Sequence, residues 1–143
     1  IFIESIKDKA RILISSEKDL PEELEKYRIK IPPSNFHNYL ENSSLVITDS
    51  QTTSTEACLL GTPVIRTNSF VGENDLSNFH LLGKKYGLIY NIADQLQAFK
   101  LASIILKDYN RFNLKHFSRR NIFVKNSIDV TDFATECIIG EKK

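Results

Sequence analysis

A doubly wound α/β domain, closed by a helical tail, is the fold class this sequence predicts, and three observations carry it. Short apolar, β-branched runs at Leu45-Val46-Ile47, Val64-Ile65 and Leu88-Ile89-Tyr90 read as buried parallel strands. Between the first two lies a helix with its own punctuation: a polar turn from Ser50 to Thr55 opens it, Gly61 stops it after Leu60, and Pro63 bars its continuation. From Ile92 onward the apolar residues recur at helical rather than strand spacing.

Taken in order, Ile1 to Lys9 predicts a helix with Ile3, Ile6 and Ala10 toward the core, and Arg11 to Ser15 a first strand. Ser16 to Asp19 forms a loop. Pro21 starts a short helix to about Lys26, with Glu22 and Glu23 at its positive end. Ile29 and Ile31 alternate as a strand that Pro32-Pro33 closes. Ser34 or Asn35 caps a helix from Phe36 to Asn42, with Phe36, Tyr39 and Leu40 inward. The strand from Leu45 then ends at Asp49-Ser50, where Asp49 is expected to cap the turn. Thr67 to Ser77 is a turn-rich loop, Asn78 to Lys85 a helix broken by Gly87, and Leu88 to Tyr90 the last strand. Three helices follow. The first places Ile92, Leu96, Phe99, Ala102 and Leu106 on one stripe, and the second, Arg111 to Val124, has Phe112, Phe117 and Phe123 as anchors with Arg119-Arg120 on a solvated face. The third, Val130 to Ile139, carries Val130, Phe133, Ala134, Cys137 and Ile138 on one stripe.

Composition narrows the function. The 143 residues have ordinary apolar and charged fractions, as for one soluble, cytoplasmic domain with a proper core. A net charge of +1 offers no electrostatic argument for nucleic acid or an anionic membrane surface, and no apolar run approaches the length of a membrane span. Cys58 and Cys137 fall on apolar helix faces, which predicts buried, reduced thiols. His37, His80 and His116 have no carboxylate or cysteine at ligand spacing, so no metal site is expected. A start at Ile1-Phe2 without methionine suggests part of a longer protein.

The chemistry-bearing stretch is the polar turn. Ligands of open parallel sheets sit at the carboxyl ends of strands, and there Ser50, Gln51, Thr52 and Thr53 offer hydroxyls and free N–H groups at a helix start, where an anion such as a diphosphate is held. Glu56 either accepts hydrogen bonds from ribose hydroxyls or is a surface carboxylate favouring the helix N-terminus by about 0.3–1 kcal/mol. Arg66 leaves its strand on the same edge, where its guanidinium can pair with phosphate or tie to Asp49 or Glu73. Gly72 and its polar neighbours suggest a mobile loop over a sugar. Ser50 lacks the small-residue elbow of a hydrolase nucleophile.

Asp49-Ser50, Glu56-Ala57, Leu60-Gly61 and Pro63-Val64, with Phe36-His37-Asn38 upstream, fall at the spacing of UDP-N-acetylglucosamine 2-epimerases and, more loosely, of GT-B glycosyltransferases. The chain resembles still more closely uncharacterised, epimerase-like proteins classed with the glycosyltransferases, whose ITSEKELPEEL-like, DSQT-like and IRxNSFVG-like segments match Leu13 to Leu24, Asp49 to Thr52 and Ile65 to Gly72. The resemblance spans nearly the whole chain. It implies that residues 1–143 form the Rossmann-like, nucleotide-binding C-terminal domain of a two-domain protein, with Phe36 against uracil, Ser50, Gln51, Thr52 and Thr53 on the phosphates, and Glu56 on the ribose. Asp49, Arg66, Glu73 and Asn74 would be further sugar or phosphate contacts. Gln51-Thr52 stand where the epimerases have two glycines, and the loop from Arg66 to Asn74 is replaced, so sugar and reaction stay open.

The implied function is donor binding in a UDP-sugar transferase or 2-epimerase-like enzyme; the alternative is a non-catalytic nucleotide-sugar-binding or regulatory module. No catalytic residue is assigned, and no cofactor is expected beyond the UDP-sugar itself. The implied partners are that nucleotide-sugar and an N-terminal domain, and a homodimer stays open. In the resembled domains a further strand lies at the sheet centre. Without it, Arg11 to Ser15 is expected to pair directly with Leu45 to Thr48.

Overall fold

The apolar runs at Val46, Val64 and Ile89 build a three-stranded parallel sheet in the computed structural model, which describes residues 2–140. Strands β1 (Val46–Thr48), β2 (Val64–Arg66) and β3 (Ile89–Asn91) lie in that order, with Val46 beside Val64 and Val64 beside Ile89. All three carboxyl ends therefore share one edge. Neighbouring residues of a strand point to opposite faces, and helices cover both. On one face Val64 packs with Leu40, Ala57, Cys58, Phe79 and Leu82, from helices α3 (Phe36–Glu41), α4 (Gln51–Leu60) and α5 (Ser77–His80) and the π-helical turn Leu81–Lys85. On the other, Ile65 packs with Ala98, Ala102 and Ile105 of α6 (Gln95–Lys107), and Phe2 of α1 (Phe2–Ile6) stacks on Phe99 with ring centres 4.3 Å apart. The result is a small α/β domain with helices on both sides of a parallel sheet.

Several expected elements shrink or turn. Arg11 to Ser15 and the Ile29-Ile31 segment meet only in one parallel bridge, Ile14 to Arg28, beside the short helix α2 (Glu22–Glu25). Neither reaches the sheet: β1 pairs with β2 alone, so the expected direct closure onto Leu45 to Thr48 does not occur. A short two-stranded ladder with few apolar contacts has little to hold it beyond one bridge. Arg28 adds side-chain bonds to Glu25 and to the carbonyls of Ser16 and Lys18, which fasten that loop instead. Asn35 stands at the N-cap of α3 but makes no side-chain cap hydrogen bond, because a 3₁₀ turn at Pro33–Asn35 leads into the helix.

The tail differs more. In α6 the expected stripe holds at Ala102, which is buried, and at Phe99, which stacks on Phe2, and just ahead of the helix Ile92 lies beside the same core; Leu96 is instead 69% exposed, and Ala98 and Ile105 are buried in addition. Small alanines let the helix approach the sheet closely, a packing reason that a count of large apolar residues misses. In α7 (Tyr109–Lys125) Phe112 and Phe123 pack against the two cores, but Phe117 is exposed and His116 is buried in its stead. Every residue of α8 (Val130–Ile139) is exposed, Cys137 included, because no other element covers its stripe; only Cys58 is a buried thiol.

Polar side chains, not the phenylalanines alone, dock α7. A helix leaves its last carbonyls without intrahelical partners, and cationic or N–H donors satisfy them. At the end of α4, His116 Nε2 lies 3.2 Å from the Cys58 carbonyl and Arg120 Nε donates to the Leu59 carbonyl at 2.9 Å. Arg119 Nη1 donates to the Gly87 carbonyl at 2.9 Å, and a Cβ at position 87 would meet that guanidinium at 2.9 Å, so a glycine with φ +63° is required there. Arg119-Arg120 thus do structural work rather than forming a solvated face.

The contact to Cys58 identifies Nε2 of His116 as the protonated nitrogen, and leaves Nδ1 buried without a partner. Burial holds the imidazole below its ordinary pKa of 6.5, partly opposed by the Cys58 carbonyl and reinforced by Arg119. A lowered folded pKa means that the unfolded chain binds the proton more readily. This contribution to stability is complete above the ordinary value and is lost as the pH falls below it toward the folded value. Replacing His116 by Ala should cost about 1–3 kcal/mol near neutral pH, through the unpaired carbonyl. Urea unfolding across the acid range should also show a shallower loss of stability in the variant than in the wild type; equal slopes would remove His116 from that role.

Candidate functional site

At the carboxyl edge of β1 the chain turns sharply into α4. Thr48 Oγ1 accepts the Ser50 N–H at 3.0 Å, and Ser50 Oγ accepts the Thr53 N–H at 3.2 Å, which makes Ser50 the N-cap. Asp49, expected to cap this turn, does not: its side chain is exposed and its carbonyl accepts from Asn68 Nδ2 at 2.7 Å. With Ser50 and Thr53 satisfied, the N–H groups of Gln51 and Thr52 have no acceptor among the described residues and stay open at the positive end of a 10-residue helix. The opposite end closes at Gly61, φ 104°.

Beside this turn, His37 of α3 and Glu56 of α4 face each other, Nε2 to Oε1 3.5 Å. Glu56 is therefore on the flank where the ribose was expected, but already has a partner. Phe36 is half-buried against the core, and the ring that stands out toward Glu56 is that of His37. Sequence reasoning weighed His37 only as a metal ligand and missed this pairing; its visible signal was adjacency to Phe36 on a short helix whose inward positions were already filled.

Arg66, at the end of β2, is fully buried. It pairs with Asp75, not with Asp49 or Glu73, while Nε donates to Asn91 Oδ1 at 2.8 Å and the guanidinium lies 3.8 Å from the centre of the Phe79 ring. Burial lowers its pKa from the ordinary value and Asp75 raises it; a guanidinium nevertheless stays charged. Glu73 and Asn74 are exposed in the adjoining loop, where the Glu73 carbonyl lies 3.2 Å from His80 Nε2. Glu73, Asp75, Phe79, His80, Lys84 and Asn91 line a cleft of about 460 Å³. The expected site residues thus divide into two groups on one sheet edge: Ser50, Gln51, Thr52, Thr53 and Glu56 around the start of α4, and Arg66 with Glu73 and Asn74 around the loop.

No family model, curated protein or solved structure matches this chain. The functional reading therefore rests on these residues and their geometry. Two reactive side chains are withdrawn from solvent: burial pushes the Cys58 thiol up to about 12, and His116 on the inner face of α7 is buried. Among the described residues no helix is long and apolar enough to cross a membrane.

The cap can be tested directly. Ser50→Ala should destabilise the protein by about 0.5–2 kcal/mol, because the Thr53 N–H loses its acceptor, whereas Ser50→Gly should cost only a few tenths. Chemical denaturation of both variants checks this, and Ser50→Ala matching the wild type would mean that the hydroxyl does not hold the turn.

Proposed function

We propose that this domain binds a nucleoside diphosphate sugar, such as a UDP-sugar, at the carboxyl edge of its sheet, as the donor-binding part of a transferase or of a 2-epimerase-like enzyme. The observation that carries the reading is the pair of open N–H groups, Gln51 and Thr52, at the start of α4. There the helix dipole, the hydroxyls of Ser50, Thr52 and Thr53, and the parallel-sheet edge converge on a place suited to a diphosphate. Glu56, about one helical turn beyond Thr52, would take the ribose hydroxyls, with His37 as the group a ribose would displace or join. The spacing shared with the epimerases and GT-B proteins supports the same assignment.

Phe36 is half-buried against the core, so only part of its ring is left for a base, and base preference should be weak relative to diphosphate preference. The withdrawal of Cys58 and His116 from solvent favours binding here with bond-making groups supplied from elsewhere in the protein.

Calorimetry with UDP, UMP and uridine tests the proposal. UDP should bind most tightly and uridine least, and absence of binding at millimolar UDP would sink the reading. Glu56→Ala should weaken UDP by roughly 1.5–3 kcal/mol for a lost charged hydrogen bond, and weaken 2′-deoxy-UDP less. Equal losses would take Glu56 off the ribose.

A further inference from the structure

Arg66 is an awkward residue for a core. Its guanidinium is wholly buried, yet among the described residues only two of its three nitrogens find hydrogen-bond partners: Nε on Asn91 and Nη2 on Asp75, with none for Nη1. A buried ion pair is seldom more stable than apolar side chains of the same volume, and an unpaired buried donor costs more again. Stability alone gives no reason for a cation here.

The origin of its partners is informative. Asn91 belongs to β3 and is held in turn by its Nδ2 donating to the Phe79 carbonyl at 3.2 Å, while a Cβ on Gly83 would meet that same Nδ2 at 2.6 Å. This half of the cradle is rigid. The single counter-charge, Asp75, comes instead from the irregular segment 67–76. That segment is tied down by Asn68 on the Asp49 carbonyl, by the Glu73 carbonyl near His80, and by its own turns at 68–71 and 72–75. It also leaves Phe70 70% and Leu76 55% exposed, and around Gly72 there is open space. Asp75, Phe79 and Asn91, all touching the guanidinium, form one wall of the 460 Å³ cleft. The cation thus takes Asn91 and Phe79 from the regular elements of the fold and its one counter-charge, the nearly buried Asp75, from the irregular loop.

We infer that Arg66 is an anion-binding group and that Asp75 is its internal latch: a phosphoryl group entering from the cleft displaces the Asp75 carboxylate and takes Nη1 and Nη2 together. Two guanidinium nitrogens match two phosphate oxygens in a fork, which would satisfy the nitrogen now without a partner. Thr48 and Arg66 are register partners on adjacent strands, so the guanidinium's strand ends beside the turn that opens α4. Assigning the phosphoryl group to a nucleotide rests on the function proposed above; the latch itself does not.

Inorganic pyrophosphate is the probe, and calorimetry of the wild type, Asp75→Asn and the double variant Asp75→Asn/Arg66→Gln is the experiment. Removing the competing carboxylate enlarges the binding-competent fraction, so Asp75→Asn should bind pyrophosphate about tenfold or more tightly than the wild type, and Arg66→Gln should abolish that gain. A folded Asp75→Asn with unchanged or weaker binding overturns the latch. Should Asp75→Asn not fold, nitrogen-15 spectra of the wild-type arginine side chains decide: pyrophosphate should shift the Arg66 resonance, and no shift at saturating probe overturns the proposal. UDP separates the two readings. Equal UDP affinity in the wild type and Asp75→Asn with no gain for pyrophosphate keeps nucleotide binding and removes the latch, whereas a pyrophosphate gain without UDP binding to either keeps the latch and removes the nucleotide.

Discussion

Helix ends carry backbone groups that no helix can satisfy from within, and the way α4 meets that constraint arranges the rest of the domain. Its carbonyl end is closed by Gly61 and by donors brought from a distant helix, His116 to Cys58 and Arg120 to Leu59. Those contacts fix α7 across the domain, and with it Phe123 against the core and Arg119 over Gly87. The N–H end is treated differently. Ser50 satisfies Thr53, Thr48 satisfies Ser50, and Gln51 and Thr52 are left open where the strands end. One end of the helix is spent on folding, and the other stays available for a ligand.

The sheet supports this asymmetry with little material. Only three short strands are needed to seat α4 on one face and α6 on the other, and the fully buried β2 supplies side chains to both cores through Val64 and Ile65. Arg66 continues that strand to the same edge as the α4 turn. Asn91 of β3, the ring of Phe79 and the carboxylate of Asp75 from the loop all meet its guanidinium there. At β1 the pairing stops: Ile47 remains exposed on the outer strand, and the Ile14–Arg28 bridge stands apart from the sheet.

What the sequence made legible was local. The start and stop of α4, the three strands and the break at Gly87 all follow from residues within a few positions of one another: a polar turn, a left-handed glycine, a β-branched run, although the cap is Ser50 and not the expected Asp49. What it hid depends on partners far along the chain. The burial of Ala98 and Ile105 and the exposure of Leu96 are set by how α6 lies on the sheet, and the buried His116 by a carbonyl of another helix. Arg66 was placed correctly at the edge, but its partner Asp75 lay just past the residues that charge and spacing had singled out. Cys137 lies on an apolar stripe, yet a stripe is buried only if something covers it, and α8 has no such cover among the described residues.

The central claim is that the open N–H groups at the start of α4 hold the diphosphate of a bound nucleotide. An amide-resolved nitrogen–proton NMR titration with UDP tests it most directly. The account predicts that the largest shifts fall on Gln51 and Thr52, with Thr53 and Glu56 following and the tail helix α8 unmoved. Shifts centred away from this turn, or none at saturating UDP, would contradict it.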